Sequence, residues 1–248
     1  MTTPPPPMDE RALRVQLAAC YRIFSMLGWT ELIYNHVTVR VPGPGRHFLI
    51  NPFGLRYDEV TASNLVKIDL DGRVVDGSTR RVNPAGFVLH STIHAGIDDA
   101  HCVMHTHTTA GCAVAGSAAG LSWDNFYAAQ LYGRVAYHDF EGVTVHADEG
   151  PRVLRSIGAN PAVILRNHGL LSWGPTIPLA FALLWTLQRA CEIQVAGAAL
   201  GPTVPVPEAV RVRAGRDALQ FDPRYGGGQD AFDALVRQVD RIDPSYRG

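Results

Sequence analysis

The segment at positions 101–111, HCVMHTHTTAG, places three histidines within seven positions of an otherwise apolar run. Alternate residues of a β-strand point to one face, with Cα atoms roughly 6.5–7 Å apart, so His105 and His107 share a face. That spacing lets two imidazoles reach one ion, while His101 is expected at the exposed entrance of the strand. The pattern predicts a buried strand that carries two metal ligands. A strand with hydrogen-bonded core histidines is the alternative interpretation.

A third histidine, His168, follows the apolar run AVILR and comes directly before Gly169. Three neutral imidazoles leave a divalent ion its full charge and at least one open position, as in catalytic zinc sites. Such an ion can polarise a carbonyl oxygen or activate water. The sequence therefore predicts that His105, His107 and His168 bind a divalent metal ion. Zinc is the first expectation, and the ligand types leave manganese and iron open.

Composition narrows the classes of partner. The chain has 248 residues, 46% of them hydrophobic and 18% charged, and its net charge is −1. This balance is typical of a globular protein and gives no electrostatic footprint for nucleic acid or an anionic membrane surface. Four scattered cysteines without a C-x-x-C pair favour a reducing, cytoplasmic location. Because the single lysine, Lys67, lies in an alternating strand pattern, Schiff-base chemistry is not expected.

Hydrophobic spacing and turn residues predict the other elements. Helical spacing over residues 8–27 predicts an opening helix that ends at the following glycine. Asp71-Gly72 predicts a hairpin turn, and residues 84–97 return to helical spacing. Two apolar runs around the Asn-His-Gly turn at 167–169 predict two buried strands. A long apolar helix of about 24 residues follows them.

The chain is predicted to form one domain with two flanking segments. Residues 1–10 are expected to be a disordered proline-rich leader, because they have neither the basic nor the apolar region of a signal peptide. Residues 11–200 are expected to form the domain. Residues 201–248 are expected to pack on that domain or on a neighbouring subunit. No apolar stretch reaches the roughly 20 residues of a membrane span.

Four motifs in chain order resemble the class II aldolase/adducin family. NHVTVR is similar to the family's Gly-Asn-Ile-Ser-x-Arg strand, and INPFG is similar to its Thr-Pro-x-Gly turn. HTH at 105–107 and NHG at 167–169 match its metal-binding histidines. The resemblance implies an α/β fold of three layers, α/β/α, around a central and largely antiparallel sheet. It also implies a homotetramer with sites near subunit interfaces.

The chain departs from this pattern where the family's sugar-phosphate aldolases carry Ser-Ser-Glu. Those serines hold phosphate and that glutamate moves a proton, but Pro84, Ala85 and Gly86 stand here. His36 stands in place of the family's asparagine. The segment NPAGFVLHSTIHA instead resembles the adducin-like branch. The eukaryotic members of that branch are cytoskeletal and in general lack the metal histidines, whereas this chain keeps all three.

Further site residues are candidates only. The candidates for proton transfer are Tyr137, His138 and Glu141. The candidates for substrate binding are His36, Asn51, Gly54, His90 and Tyr127. Several aromatic residues are expected near the site and would suit a phenolic or enolic acid substrate. The alternative interpretation is that these side chains only pack in the core. They are Trp123, Phe126, Tyr127, Tyr132 and Tyr137.

Three functions follow from these observations. The first is a divalent-metal-dependent lyase, either an aldolase or a decarboxylase. It would act on a small non-phosphorylated carbonyl or carboxylate substrate through a metal-stabilised enolate. The second is a mononuclear non-haem iron oxygenase that uses the same three histidines. The third is a non-catalytic, adducin-like binding or scaffold protein.

Overall fold

The computed structural model describes residues 8–143 and 147–248. The strands are β1 (His36–Arg40), β2 (Phe48–Ile50), β3 (Val66–Ile68), β4 (Cys102–Thr106), β5 (Val135–His138), β6 (Ala162–Leu165) and β7 (Gly169–Gly174). The helices are α1 (Glu10–Leu27), α2 (Pro84–Gly96), α3 (Thr109–Ala115), α4 (Phe126–Gln130), α5 (Gly150–Ile157), α6 (Ile177–Gly197), α7 (Glu208–Arg216) and α8 (Gln229–Ile242).

The strands form one sheet in the order β3-β2-β1-β4-β7-β6-β5. β5 pairs with β6 in parallel, and every other pairing is antiparallel. In this register His36 lies opposite His105 on the central pair β1–β4. His105 in turn lies opposite Leu171 of β7. The sheet therefore places two of the predicted site histidines side by side at its centre.

Helices cover both faces of the sheet, which gives the expected three layers. On one face, α2 and α5 pack over a core that includes Val103 and Leu171. On the other face, α1, α3 and α6 pack over a core that includes Cys102 and Met104. Because side chains alternate along β4, His105 belongs to the α2 face. The predicted fold class is confirmed.

Local signals explain several element boundaries. The Asp9 side chain caps α1 by accepting a hydrogen bond from the backbone of Ala12, and Gly28 ends this helix with a φ of 74°. The turn at Asp71-Gly72 is present, but in the described structure only the first strand of the predicted hairpin forms, as β3. The residues after the turn pair with it through a single β-bridge between Ile68 and Val74. The predicted long helix is α6, which ends at Gly197.

The two C-terminal helices contact helices from earlier in the chain. α8 contacts α1 and α6, and α7 contacts α4. The Arg22 side chain binds Asp243 at 2.7 Å. Seven residues of the predicted leader lie outside the described residues. Among the described residues, none of the helices combines the length and apolarity needed to cross a membrane.

Candidate metal centre

Three imidazoles converge where β4 and the β6–β7 turn meet. His105 is the penultimate residue of β4, His107 follows the end of that strand, and His168 precedes β7. The Nε2 atom of His105 lies 2.7 Å from Nε2 of His107 and 3.2 Å from Nε2 of His168. All three candidate ligand atoms lie within 4.8 Å of one another. The structure thus brings together the three residues predicted to bind metal.

The hydrogen bonds around the cluster fit a ligating role. His105 Nδ1 lies 2.8 Å from the Leu170 carbonyl, which can only accept, so this nitrogen carries the proton. His105 Nε2 therefore presents a lone pair to the cluster, as a metal ligand requires. The backbone N–H of His107 donates to Asn35 Oδ1 at 3.0 Å, and the Asn35 amide donates to the Trp29 carbonyl. These contacts fix His107 although it lies beyond the strand.

The turn that carries His168 depends on an unusual backbone conformation at Asn167 and on a close backbone contact at Gly169. Asn167 has a φ of 53°, a left-handed conformation that asparagine tolerates better than most residues. At Gly169 an added Cβ would lie 2.3 Å from the carbonyl oxygen of Thr106. Only glycine therefore allows β7 to approach β4 closely enough to bring His168 to the other two histidines.

Burial keeps the cluster in its neutral form. Desolvation lowers the pKa of His105 well below its usual value, and the neighbouring His107 and His168 lower it further. The pKa of His168 falls to about 4, mainly by burial and then by the charge of His107. Burial also lowers the pKa of His107. Neutral imidazole is the form that binds metal ions, so the donor set suits a divalent cation.

A cavity of about 570 Å³ opens above the cluster. Its mouth is formed by exposed apolar side chains, namely Leu32, Tyr34, Phe140 and Val143. Among the described residues that line it there is no lysine or arginine, and Glu31 is the one acidic residue. A phosphate group would need cationic side chains or clustered backbone N–H donors. This lining instead suits an uncharged or weakly charged apolar group.

His36 lies in the cavity wall, against the cluster. Its ring centroid is 5.3 Å from that of His105 and 4.2 Å from that of His90. An added Cβ at Gly86 would lie 2.8 Å from the His36 ring, so the ring fills the space beside this glycine. The pKa of His36 falls to about 3, mainly through burial and then through the charge of His107. The backbone of Tyr34 and Gly86 partly offsets that fall.

The three candidates for proton transfer lie at the edge of the site or outside it. The Tyr137 hydroxyl accepts a hydrogen bond from the Leu121 backbone, and the Arg166 guanidinium lies 4.3 Å from the ring centre. The imidazole of His138 is buried, with Nε2 3.3 Å from Glu149 Oε1. Neither Tyr137 nor His138 lines the main cavity.

Glu141, the third candidate, is bound to Arg152, whose Nε lies 2.8 Å from both carboxylate oxygens. Hydrogen bonds from Arg152 lower the pKa of this carboxyl. A small separate cavity that His168 also lines contains His138 and Glu141. The structure thus brings His138 and Glu141 close to the cluster of three histidines and leaves Tyr137 apart.

Three substrate-binding candidates lie away from the cavity. Asn51 is buried, and its Oδ1 lies 2.9 Å from the Tyr21 hydroxyl on the α1 side of the sheet. Gly54 has a φ of 101° in the turn after β2 and does not line the cavity. Tyr127 packs edge-on against Trp185. Of this candidate group, His36 alone lines the cavity, and His90 lies behind it.

The aromatic residues in the cavity are different ones from those expected. The expected set, which included Trp123 and Tyr132, does not line it, whereas Tyr34 and Phe140 do. Sequence reasoning also missed Asn167, although its place in the Asn-His-Gly turn beside the predicted ligand His168 could have marked it. Tyr34 and Phe140 lie in irregular segments, where no periodic pattern shows which way a side chain points.

A family model described as the class II aldolase and adducin N-terminal domain matches residues 15–195. The chain belongs to the class II aldolase and adducin family. A protein of Pseudomonas aeruginosa whose name places it in aldolase class 2 is 42% identical over 242 residues, covering 96% of this chain and 93% of that protein. The solved structure of an aldolase II superfamily protein from Pseudomonas syringae is 40% identical. It superposes with a TM-score of 0.90 and covers 100% of this chain and 98% of the other.

The family also includes relatives of another kind. The alpha-adducin of Rattus norvegicus is 43% identical over 247 residues, which cover 94% of this chain but 34% of the adducin. Both parts of the predicted family resemblance are therefore confirmed. Family membership supports a metal-dependent, aldolase-like enzyme in coarse terms, and the adducin relatives leave a non-catalytic role open.

Proposed function

We propose that the protein is a divalent-metal-dependent lyase that acts on a small, non-phosphorylated carbonyl or carboxylate compound. The observation that carries the proposal is the cluster of His105, His107 and His168 at the base of the cavity. We assign these three residues as the ligands of the ion, with zinc as the first choice. A divalent cation held there supplies a positive charge that polarises a carbonyl or carboxylate oxygen.

The rest of the cavity supports the substrate class. Lysine and arginine are absent from its described lining, so a phosphate group would find no cationic side chain. Tyr34, Phe140 and Leu89 provide apolar surface that can pack against a hydrocarbon or aromatic part of the substrate and exclude water. The Gly86 position offers no side chain for proton transfer.

Metal analysis tests the ligand assignment. The protein is purified without added metal and without oxygen, and its metal content is measured. We expect one equivalent of zinc or manganese per chain. His107→Ala should remove it, whereas His101→Ala, which changes an exposed histidine one residue before the same strand, should keep it. Full occupancy in His107→Ala would refute the assignment, and one equivalent of iron would favour an oxygenase and make oxygen consumption the next assay.

A substrate panel tests the reaction type. Non-phosphorylated 3-hydroxy and 3-oxo acids are compared with sugar phosphates, and released aldehyde and carbon dioxide are measured separately. Turnover restricted to the non-phosphorylated acids is expected from the lining. Turnover of sugar phosphates alone would contradict it.

A non-catalytic binding role is the second candidate, because an alpha-adducin is as similar to this chain as the aldolase class 2 protein is. Metal titration separates the two. A protein that contains no metal and takes up none would favour the binding role and leave the three histidines as core residues.

We further propose a homotetramer with the sites near subunit interfaces. Leu32 and Val143 are each 72% exposed at the mouth of the cavity, and Tyr34 and Phe140 are about half exposed. Such a concentration of apolar surface is typical of a contact site. Light scattering after size-exclusion chromatography should give four chain masses, and Phe140→Asp should lower that mass. A monomer at working concentration would refute the shared-site arrangement.

A further inference from the structure

The turn after β4 carries His107, and a buried amide side chain holds its backbone. The pairing of β1 with β4 ends at His36 and His105, so the backbone N–H of His107 lies beyond the ladder. This N–H donates instead to Asn35 Oδ1 at 3.0 Å. The Asn35 Nδ2 atom donates to the Trp29 carbonyl at 2.9 Å. Because a carbonyl only accepts, that contact turns the Asn35 oxygen toward His107.

The Asn35 side chain takes the place of a backbone carbonyl at the end of β1. It extends the ladder by one hydrogen bond and lets the chain turn into α3 directly after His107. In the motif Gly-Asn-Ile-Ser-x-Arg the position of Asn35 is a glycine, which has no side chain to accept such a bond. The contact is therefore a feature of this chain and is not supplied by the motif.

A second buried amide holds the next residue, Thr108, from α6. The Thr108 hydroxyl caps α3 by accepting from the Gly111 backbone, and it donates to Gln188 Oε1 at 2.6 Å. Gln188 Nε2 donates to Glu192 Oε1 at 2.8 Å. Because an ionised carboxylate only accepts, the Gln188 oxygen faces Thr108 and the Thr108 hydroxyl donates. Every hydrogen bond in this chain therefore has one direction.

His107 depends on such support more than the other two candidate ligands do. His105 lies within β4, and its Nδ1 bonds to a backbone carbonyl of β7. His168 lies in the tight turn between the paired strands β6 and β7. His107 has a strand on one side only. Asn35 and Gln188, which are 1% and 3% exposed, hold this residue and its neighbour from within the core.

We propose that Asn35 and Gln188 are positioning residues for the metal centre, which keep the imidazole of His107 in place through the turn after β4. Neither amide is itself a ligand, because each acts on the backbone that carries His107. Metal–ligand distances tolerate only about 0.2 Å of error. Loss of either amide should therefore weaken zinc binding roughly tenfold to hundredfold, the range for groups that support a ligand. The inference rests on the proposed function, since it takes His107 as a ligand.

Zinc affinity of matched variants tests the proposal. Gln188→Leu removes both hydrogen bonds of the amide. Gln194→Leu is its control on the same helix, because the Gln194 amide bonds to the backbone of Gly120 and Ser122 and not to a turn that carries a ligand. In competition with a chromophoric chelator, Gln188→Leu and Asn35→Ala should bind zinc more weakly by the factor given, and Gln194→Leu should keep the wild-type affinity.

Two variants of Thr108 separate positioning from a general loss of stability. Thr108→Val keeps the shape of the side chain and removes the hydroxyl, so it should weaken zinc binding as Gln188→Leu does. Thr108→Ser keeps the hydroxyl and should restore the affinity. Thermal unfolding in chelator ranks the same variants by stability. Zinc affinity that follows Tm instead of the hydroxyl would overturn the inference.

Hydrogen exchange tests the same contacts on metal-free protein. The amide of His107 should exchange roughly fivefold to tenfold faster in Asn35→Ala and Gln188→Leu than in the wild type, the effect of one net hydrogen bond. Gln194→Leu should leave this rate unchanged. Equal exchange in all four proteins would overturn the inference whatever their zinc affinity. Should Asn35→Ala fail to fold, Gln188→Leu and the two Thr108 variants decide the question.

Failure of the inference and failure of the proposed function give different results. Wild-type protein that binds zinc no more tightly than Asn35→Ala and Gln188→Leu would overturn the role of the amides and leave the metal centre intact. Wild-type protein that takes up no zinc would refute the proposed function, and with it any role of the two amides at a metal centre.

Discussion

Gly169→Ala should damage the fold and the metal centre together. The new Cβ would lie 2.3 Å from the Thr106 carbonyl oxygen, about 1 Å short of ordinary van der Waals contact. The obstacle is backbone of the central strand β4 and cannot rotate away as a side chain could. Either β7 or β4 must therefore shift. Forced repacking of this kind costs about 1–3 kcal/mol of unfolding free energy, or roughly 2–12 °C in Tm for a chain of this size.

The same shift should weaken metal binding, because Thr106 lies between His105 and His107 and Gly169 adjoins His168. Metal–ligand distances tolerate only about 0.2 Å of error. We expect a tenfold to hundredfold loss of zinc affinity, the range seen when the support of a ligand is disturbed. Calorimetric unfolding in chelator gives the first effect, and competition with a chromophoric chelator gives the second.

Gly197→Ala is the matched control for this experiment. Gly197 lies in the last turn of α6 with φ −74° and ψ −20°, and an added Cβ there meets nothing within 4 Å. The same chemical change should therefore raise stability by about 0.4–1 kcal/mol and leave zinc affinity unchanged. If Gly169→Ala kept both its Tm and its zinc affinity, the argument that close backbone approach builds the site would be refuted.

Three further outcomes follow from the structure. Tyr21→Phe should lower the unfolding free energy by about 1–3 kcal/mol, because the Tyr21 hydroxyl accepts from the backbone N–H groups of Val37 and Asn51; a urea midpoint equal to that of the wild type would contradict this. Metal-free protein should lose stability as pH falls below about 6.5, because burial lowers the pKa of His94 to about 3. As the pH falls, His94 is therefore protonated in the unfolded chain before it is protonated in the folded one. The Ala100 carbonyl partly offsets the effect of burial on this pKa, and the charges of Arg40 and His101 lower it further. Protonation of His94 in the unfolded chain should cost roughly 1 kcal/mol of unfolding free energy at pH 5.5, and a urea midpoint that does not change between pH 7.5 and 5.5 would count against it. Finally, zinc at a hundred times its dissociation constant should stabilise the wild type by about 2.7 kcal/mol, and unchanged Tm on zinc addition would argue against a metal centre.

Patterns in short segments of the sequence were enough to predict the three histidines of the site. The alternation of residues 101–107 predicted that His105 and His107 share a face, although β4 ends at Thr106, and the Asn-His-Gly sequence marked the turn that holds His168. Both signals are local because strand periodicity and turn chemistry depend on neighbouring residues. The hairpin at Asp71-Gly72 was predicted less well, since its strand residues pair only through β3 and a single bridge.

The remaining site residues could not be placed in this way. Asn51 follows β2 in a motif that the family uses, yet its side chain bonds to Tyr21 of α1. Tyr34 and Phe140 belong to irregular segments more than a hundred positions apart. Both side chains line one cavity because of how the sheet and its helices pack. No local sequence pattern predicts that two residues so far apart in the chain lie close together.

By itself the sequence determined the family, the layered α/β fold and the three histidines that can hold a metal ion. It did so because hydrophobic periodicity, glycine turns and ligand chemistry are properties of short segments. Tertiary structure alone decided that α2 lays His90 and His94 over Thr38, and that His36 fills the space beside Gly86. These contacts join residues about 50 positions apart. They exist because packing a helix on a sheet selects one register, and that register sets which polar groups lie close enough to pair.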